Sequence, residues 1–233
     1  MPIDHPIQHI AFIPDGNRRW AGQHKMQAIF GHRSGLDVIR EMHDWLIEYG
    51  IKYATFYTFS SENWKRPGIE VDYLIDLFRK SAEDAMKEFP KKGIRFRYIG
   101  DISNFPEDVR LNLNKLQDLT AANTKVTLIM AVGYSGQNEI VRATKKIAED
   151  VVNKKLQISD IDESLFSSYL DTKGVPPPDL IVRTSEQRIS NFLLWQLAYS
   201  EIIFVDKYWP DFSKEDFDNV ITEFSRRVRR YGA

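Results

Sequence analysis

The chain reads as an α/β protein, one domain over residues 1–233 with a six-stranded, mostly parallel sheet flanked by helices. Three observations predict this. Short runs rich in β-branched and aromatic residues alternate with longer helical patterns from end to end, as in βα units around a parallel sheet. The 233 residues, 42% of them hydrophobic, suffice for one sizeable core and not for two. No repeat or linker divides the chain, since Pro176-Pro177-Pro178 forms a stiff loop after which the alternation resumes at once.

The first strand is expected over 8–13, around the apolar run Ile10 to Ile13. Leu36, Ile39, Met42, His43, Leu46 and Ile47 then recur at helical spacing, and Gly50 supplies the stop. A second strand is expected over 53–59. An amphipathic helix over 71–89 follows, with Leu74, Phe78, Ala82, Ala85 and Phe89 in its apolar stripe and Pro90 beyond its end. Further strands are expected over 94–99, 125–132, 180–183 and 202–205. Helices are expected over 106–121, 136–153, 163–170, 192–199 and 214–230.

Composition narrows the function. A net charge of −1 gives no global basic field for nucleic acid, and the run Arg226-Arg227-Val228-Arg229-Arg230 has no matching basic, aromatic surface elsewhere. Without cysteine there are no disulfides, thiolate nucleophiles or thiolate metal sites, so any metal must rely mainly on oxygen ligands. Asp4 and His5 stand where a signal peptide needs a basic start, and no stretch approaches the ~20 apolar residues of a spanning helix. The expected location is the cytoplasm, with at most peripheral contact with the inner face of the membrane.

Chemistry concentrates where strands end, because ligands of open α/β sheets bind beyond the carboxyl ends of the strands. There the segment Pro14-Asp15-Gly16-Asn17-Arg18-Arg19-Trp20 places a carboxylate, a glycine and two guanidiniums. Asp15 suits a metal or phosphate site, Gly16 permits close backbone approach, Asn17 can cap the next helix, and Arg18 and Arg19 offer forked donors. A capped helix start with two solvated arginines suits the same residues equally well.

Ser60-Ser61-Glu62-Asn63-Trp64-Lys65-Arg66-Pro67 follows the second strand and should emerge at the same edge, although a polar loop around a buried tryptophan has this composition too. Arg183-Thr184-Ser185-Glu186-Gln187-Arg188-Ile189-Ser190-Asn191 follows another strand; capping accounts for a serine there but not for two arginines. Glu201, beside an apolar strand, is expected to face a cation or metal, because an unpaired buried carboxylate is costly. His32 can donate to a phosphate near a helix start, though a lone histidine is more often structural.

The dinucleotide glycine fingerprint, the Walker lysine loop, the serine nucleophile elbow and the DDxxD pattern are all missing. What remains is diphosphate recognition beside large aromatic residues, including Trp20, Phe56, Phe59, Trp64 and Trp195, a combination suited to an isoprenoid diphosphate.

These segments, with Gly31-His32, Arg188-Ile189-Ser190-Asn191-Phe192-Leu193-Leu194-Trp195-Gln196 and Trp209-Pro210-Asp211-Phe212, resemble the cis-prenyltransferases, in particular the bacterial undecaprenyl diphosphate synthases. The likeness covers essentially the whole chain in order. It implies a homodimer with a hydrophobic tunnel, and condensation of isopentenyl diphosphate with an allylic diphosphate such as farnesyl diphosphate. The product would be a long cis-polyprenyl diphosphate serving as a glycan carrier lipid in cell-wall biogenesis.

By matching position, the resemblance implies that Asp15 holds Mg2+ and diphosphate, and that Glu201 is the second metal carboxylate. It places Gly16, Asn17, Arg18, Arg19, Trp20 and His32 around the allylic diphosphate, and Arg183, Arg188, Ile189 and Ser190 around isopentenyl diphosphate. Ser60, Ser61, Glu62, Trp64 and Arg66 line the substrates beside Asn63, the residue for which a proton-accepting role is implied. Arg230-Tyr231-Gly232 is implied to reach across the dimer.

Three departures stand out. Ala28 replaces an arginine four residues before the motif histidine, and Gly133-Tyr134-Ser135-Gly136-Gln137 replaces Asn-Tyr-Gly-Gly-Arg. The loop between Thr184 and Arg188 is one residue short and lacks a glycine. A short-chain or irregular cis-prenyltransferase, or a noncatalytic subunit of such an enzyme, is the alternative; retention of Asp15, Asn63, Arg183 and Glu201 argues against the subunit.

Overall fold

In a computed structural model, which describes residues 7–227, β1 (His9–Ile13) is buried at every position. That is the pattern of a central strand covered on both faces. It pairs in parallel with β2 (Tyr53–Ser60) on one side and β5 (Leu180–Thr184) on the other. β4 (Val126–Tyr134) and β3 (Ile94–Ile99) extend the sheet beyond β2, and β6 (Glu201–Val205) closes the opposite edge. The order is β3-β4-β2-β1-β5-β6, and every pairing is parallel rather than most of them. The chain reverses its winding between β1 and β5, so the crevice beyond those two strand ends is the switch point where α/β folds bind ligands.

Seven α-helices occur among the described residues: α1 (Asn17–Gln23), α2 (Ala28–Tyr49), α3 (Gly68–Lys92), α4 (Glu107–Leu119), α5 (Gly136–Val152), α6 (Glu163–Tyr169) and α7 (Lys214–Ser225). One face of the sheet buries Ile10, Phe12, Phe56 and Leu128 against α2, α3, α4 and α7. The other buries Ala11, Ile129, Ile181 and Tyr134 against Phe192 and Leu193. Phe12 and Phe56, both fully buried, stack at 5.0 Å. Burial of each such ring contributes roughly 2 kcal/mol.

Four expectations change. Pro90 lies inside α3, which runs on to Lys92; Gly93, at φ 71°, supplies the stop. Residues 192–199 form successive turns rather than a helix, because Ser190, Asn191 and Leu193 adopt positive φ and interrupt the helical path. Asn17 is the first residue of α1 and does not cap it: Gly16 holds the cap position at φ 102°, a conformation suited to glycine. The expected final helix ends at Ser225, and the rest of the arginine run and Arg230-Tyr231-Gly232 lie outside the described residues.

Among the described residues no helix is long and apolar enough to cross a membrane.

Candidate active site

Asp15 directly follows β1, and Arg183 sits opposite Ile13 on β5, so the sheet register alone brings them together. Arg183 is buried and donates to Asp15 Oδ2 at 2.7 Å and to Ser190 Oγ at 2.6 Å. It also donates to the backbone carbonyl of Arg188. Its Nε is buried without a hydrogen-bond partner. The Gly16 backbone N–H donates to Asp15 Oδ1 at 2.6 Å, while Arg19 stands 3.2 Å from the same oxygen. Thr184 locks the turn, its hydroxyl donating to the Asp15 carbonyl at 2.8 Å.

Glu186 neutralises the opposite side of this cluster. It lies 3.2 Å from Arg183 and 3.0 Å from Arg19, and it pairs with Arg188. Three guanidiniums therefore converge on two carboxylates at the ends of β1 and β5. Arg19 also lies 5.7 Å from the centre of the Tyr208 ring.

A second knot forms at the start of α2 and α3. Glu70 is buried and accepts from Arg66 at 3.0 Å; His32 Nε2 is 3.1 Å away and Arg18 is 3.7 Å away. Burial lowers the pKa of His32, and the hydrogen bond to Glu70 opposes that shift. His32 therefore faces a carboxylate. The same knot fixes Arg18 and Arg66 at the rim of the crevice.

The loop after β2 forms a short 3-10 turn over Ser61–Lys65 with a reciprocal cap between Ser60 and Asn63. The Ser60 N–H donates to Asn63 Oδ1 at 3.0 Å, which leaves the amide NH2 as the donor Asn63 can present elsewhere. Glu62 is exposed; the Asn191 amide stands 3.4 Å from it and donates to Ser135 at 2.7 Å. Trp64 packs edge-on against Phe59 and Phe105, a structural role in the core. Ile189 packs against the second core cluster, and the Trp20 indole donates to Asp211 at 2.7 Å.

Below this edge a cavity runs between α2 and α3, past Leu36, Ile39, Leu74 and Phe78 to Phe89 and Phe96. Its walls are mostly apolar.

Two placements differ from expectation. Glu201 begins β6, in register with Leu180 at the start of β5, and so lies at the opposite edge of the sheet from Asp15. It accepts from Arg227 at 2.8 Å and so faces a cation, as expected of a carboxylate beside an apolar strand; what differs is its distance from the Asp15 end of the sheet. The chain by itself does not join Glu201 and Asp15, because parallel strands put the first residue of β6 a full strand length from the carboxyl ends. Trp195 is also remote: it donates to Ser167, packs at a tilt against Phe166 and lines a different cavity, beside Pro176 and Tyr199.

Sequence pattern alone does not single out Glu70 and Glu186. Their signal is spacing, four residues after Arg66 and three after Arg183, the separations at which helical or turn side chains meet.

Clustered cations at a switch point, above a long apolar cavity, define a class of proteins that take an anionic head joined to an extended apolar tail. Residues 13–232 match the family model described as "Putative undecaprenyl diphosphate synthase". An isoprenyl transferase of Agrobacterium fabrum is 45% identical over 227 residues, 97% of this chain and 92% of its own. A ditrans,polycis-undecaprenyl-diphosphate synthase of Haemophilus influenzae, (2E,6E)-farnesyl-diphosphate specific, is 43% identical and covers 97% of this chain and 95% of its own. Among solved structures, lavandulyl diphosphate synthase from Lavandula x intermedia in complex with dimethylallyl diphosphate superposes with a TM-score of 0.94 at 34% identity, covering 97% of this chain and 98% of that one. A probable undecaprenyl diphosphate synthase from Campylobacter jejuni gives a TM-score of 0.82 at 30% identity, covering 99% and 100%. The chain belongs to the undecaprenyl diphosphate synthase family of cis-prenyltransferases.

Proposed function

We propose that the protein condenses isopentenyl diphosphate with an allylic diphosphate, farnesyl diphosphate in the first instance, and builds a long cis-polyprenyl diphosphate such as undecaprenyl diphosphate. The observation that carries this reading is the cluster of Asp15, Arg19, Arg183 and Arg188 at the strand ends, next in sequence to Pro14 and Asn17, which line the apolar cavity between α2 and α3. The names of relatives at 40–43% identity support the long product.

The allylic diphosphate is assigned to the backbone after Asp15 with Arg18, Arg19, Asn17 and His32, its tail entering the cavity. Isopentenyl diphosphate is assigned to Arg183, Arg188 and Ser190. Asp15 suits a hard cation: magnesium is usually held by one or two carboxylates together with substrate phosphates, and this carboxylate is partly exposed at a phosphate-binding edge. When bound there, the ion supplies charge stabilisation for the departing diphosphate.

The allylic carbon–oxygen bond breaks and its electron pair leaves with the diphosphate, where Arg19 and the backbone N–H groups stabilise the charge. The isopentenyl double bond then attacks the allylic carbon, and the neighbouring carbon loses a proton to a diphosphate oxygen. Asn63 orients that acceptor through its NH2; a neutral amide is too weak a base to take the proton itself.

A homodimer belongs to this reading. Ile202 and Phe204 are 38% and 39% exposed on the edge strand β6, a surface that a second copy would cover. Close superposition on lavandulyl diphosphate synthase favours one other reading, a short or irregular product. Purified protein incubated with labelled isopentenyl diphosphate, farnesyl diphosphate and magnesium, followed by product chromatography, tests both. A ladder of long products supports condensation, one short product selects the second reading, and no incorporation rejects catalysis by this chain alone.

A further inference from the structure

Strain gathers beside the isopentenyl residues. Ser190, Asn191 and Leu193 take φ of 48°, 62° and 45°, in the left-handed region that side chains disfavour. Left-handed residues set so close together persist only where their surroundings over-determine them. Apolar packing supplies part of the hold: Phe192 and Leu193 are fully buried, and Phe192 stacks on Tyr57 at 4.6 Å. Such packing has no direction, so it does not by itself set how the polar groups of Ser190 and Arg188 are turned.

Asn191 supplies the direction. Its Oδ1 accepts from the Gln137 N–H at 2.9 Å, which turns its NH2 toward Ser135, whose hydroxyl accepts at 2.7 Å. Its backbone carbonyl accepts from the Gly136 N–H at 2.7 Å. Gly136 and Gln137 open α5, so neither N–H has a partner within the helix. Asn191 satisfies both from a distant segment, where Ser135 at the cap position makes no side-chain cap of its own. A side chain at position 136 would come within 2.8 Å of Leu194 and 3.1 Å of the Asn191 carbonyl, so this approach depends on glycine. Ser135 is itself buried, and it stands in one of the segments that depart from the family pattern.

On its other side the turn ends at two of the site's cations. The Ser190 Oγ accepts from Arg183 at 2.6 Å and from Arg188 Nε at 3.0 Å. The stretch from Thr184 to Arg188 is one residue short, so the aim of Arg188 rests on this downstream contact. The Asn191 amide also stands 3.4 Å from Glu62, a longer contact than the one to Ser135.

We propose that Asn191 is a positioning residue for isopentenyl diphosphate and that Ser135 is its anchor: their hydrogen bond holds the left-handed turn that aims Ser190 and Arg188 at the diphosphate. This rests on the condensation reading above, which assigns that substrate to Arg183, Arg188 and Ser190.

Asn191→Gly deletes the amide while favouring the left-handed backbone, so a loss cannot come from added strain. Ser135→Ala deletes the hydroxyl alone. Each substrate is titrated with the other saturating. The isopentenyl Michaelis constant should rise about tenfold in Asn191→Gly and about threefold in Ser135→Ala. The farnesyl constant and kcat should stay within about twofold, since the lost interaction serves the binding of one substrate. The double variant should match Asn191→Gly alone; a rise of about thirtyfold, the product of independent effects, would overturn the pairing. Unchanged isopentenyl constants in the single variants, or an equal rise for both substrates, would overturn the positioning role while leaving condensation intact. Should Asn191→Gly fail to fold, Ser135→Ala decides alone, an unchanged isopentenyl constant rejecting the anchor. A wild type that incorporates no isopentenyl diphosphate overturns the condensation reading and this inference with it.

Discussion

Arg183 donates to Asp15 across 2.7 Å, although 168 residues separate them in sequence. In the proposed assignment of substrates, this contact joins the allylic side of the crevice to the isopentenyl side. A change at either residue should therefore disturb both substrates.

Asp15→Asn keeps the shape and removes the charge. Turnover should fall about 100-fold or more, because the cation loses its protein carboxylate and reacting groups displaced by ~1 Å react far more slowly. Thermal unfolding should move little, since Asp15 is partly exposed and Thr184 still holds the turn backbone. Paired melting and rate measurements check this; a variant of near wild-type rate at saturating magnesium would remove Asp15 from the mechanism.

Glu70→Gln leaves Arg18, Arg66 and His32 without their shared carboxylate. We expect a Michaelis constant for farnesyl diphosphate raised about tenfold, and stability lowered by about 1 kcal/mol as the partly buried Arg66 loses its carboxylate partner. Steady-state titration of each substrate with the other saturating separates this from a general loss. An equal rise for isopentenyl diphosphate would show that Glu70 serves the whole crevice.

Ser185 occupies the left-handed region at φ 74°, and its buried hydroxyl has no hydrogen-bond partner. Ser185→Gly should therefore stabilise the protein by about 1 kcal/mol, the relief of backbone strain exceeding the added flexibility of the unfolded chain. A urea midpoint that falls instead would show that the serine side chain supports the loop.

His9 gives the pH dependence a direction. Burial pushes its imidazole from the ordinary 6.5 down to about 4, despite the Pro176 carbonyl and Asp179. The carbonyl 2.6 Å away requires a proton on Nδ1, and Nε2 accepts from Thr55 at 2.8 Å, so the folded state holds a neutral ring. Between pH 6.5 and 4 the unfolded chain carries a proton that the folded chain lacks. Stability is thus full above pH 6.5 and should fall by about 3 kcal/mol across that window. His43, held near 3 by burial, steepens the same decline. His9→Asn should be less stable at pH 7 but show a visibly flatter urea-midpoint profile from pH 7 to 4.

The sheet was largely legible because period and apolarity report burial: all six strands lie where β-rich runs stand, within about two residues. Turn geometry was less legible. Phe192, Leu193 and Leu197 recur at helical spacing, but left-handed residues at Ser190, Asn191 and Leu193 bend the segment away from a helix. Motifs brought out Asp15, Asn63 and Arg183, which share one edge; their internal counter-charges, Glu70 and Glu186, belong to three-dimensional pairing that no linear motif records. Glu201 illustrates the reverse. Its chemistry suits a metal, but its position at the start of β6 is a matter of sheet topology.

The placement of β1 between β2 and β5 also governs how the protein is made. β1 finds β2 within about fifty residues of synthesis, but its other neighbour is translated some 170 residues later. Long-range parallel pairing is slow and leaves intermediates exposed. A nascent chain therefore carries an apolar strand with one open side, and an Asp15 lacking Arg183, until β5 emerges from the ribosome. Diphosphate capture begins only after that late strand docks. Chaperone binding during translation should accordingly concentrate on chains in which β1 to β4 are complete and β5 is still within the exit tunnel.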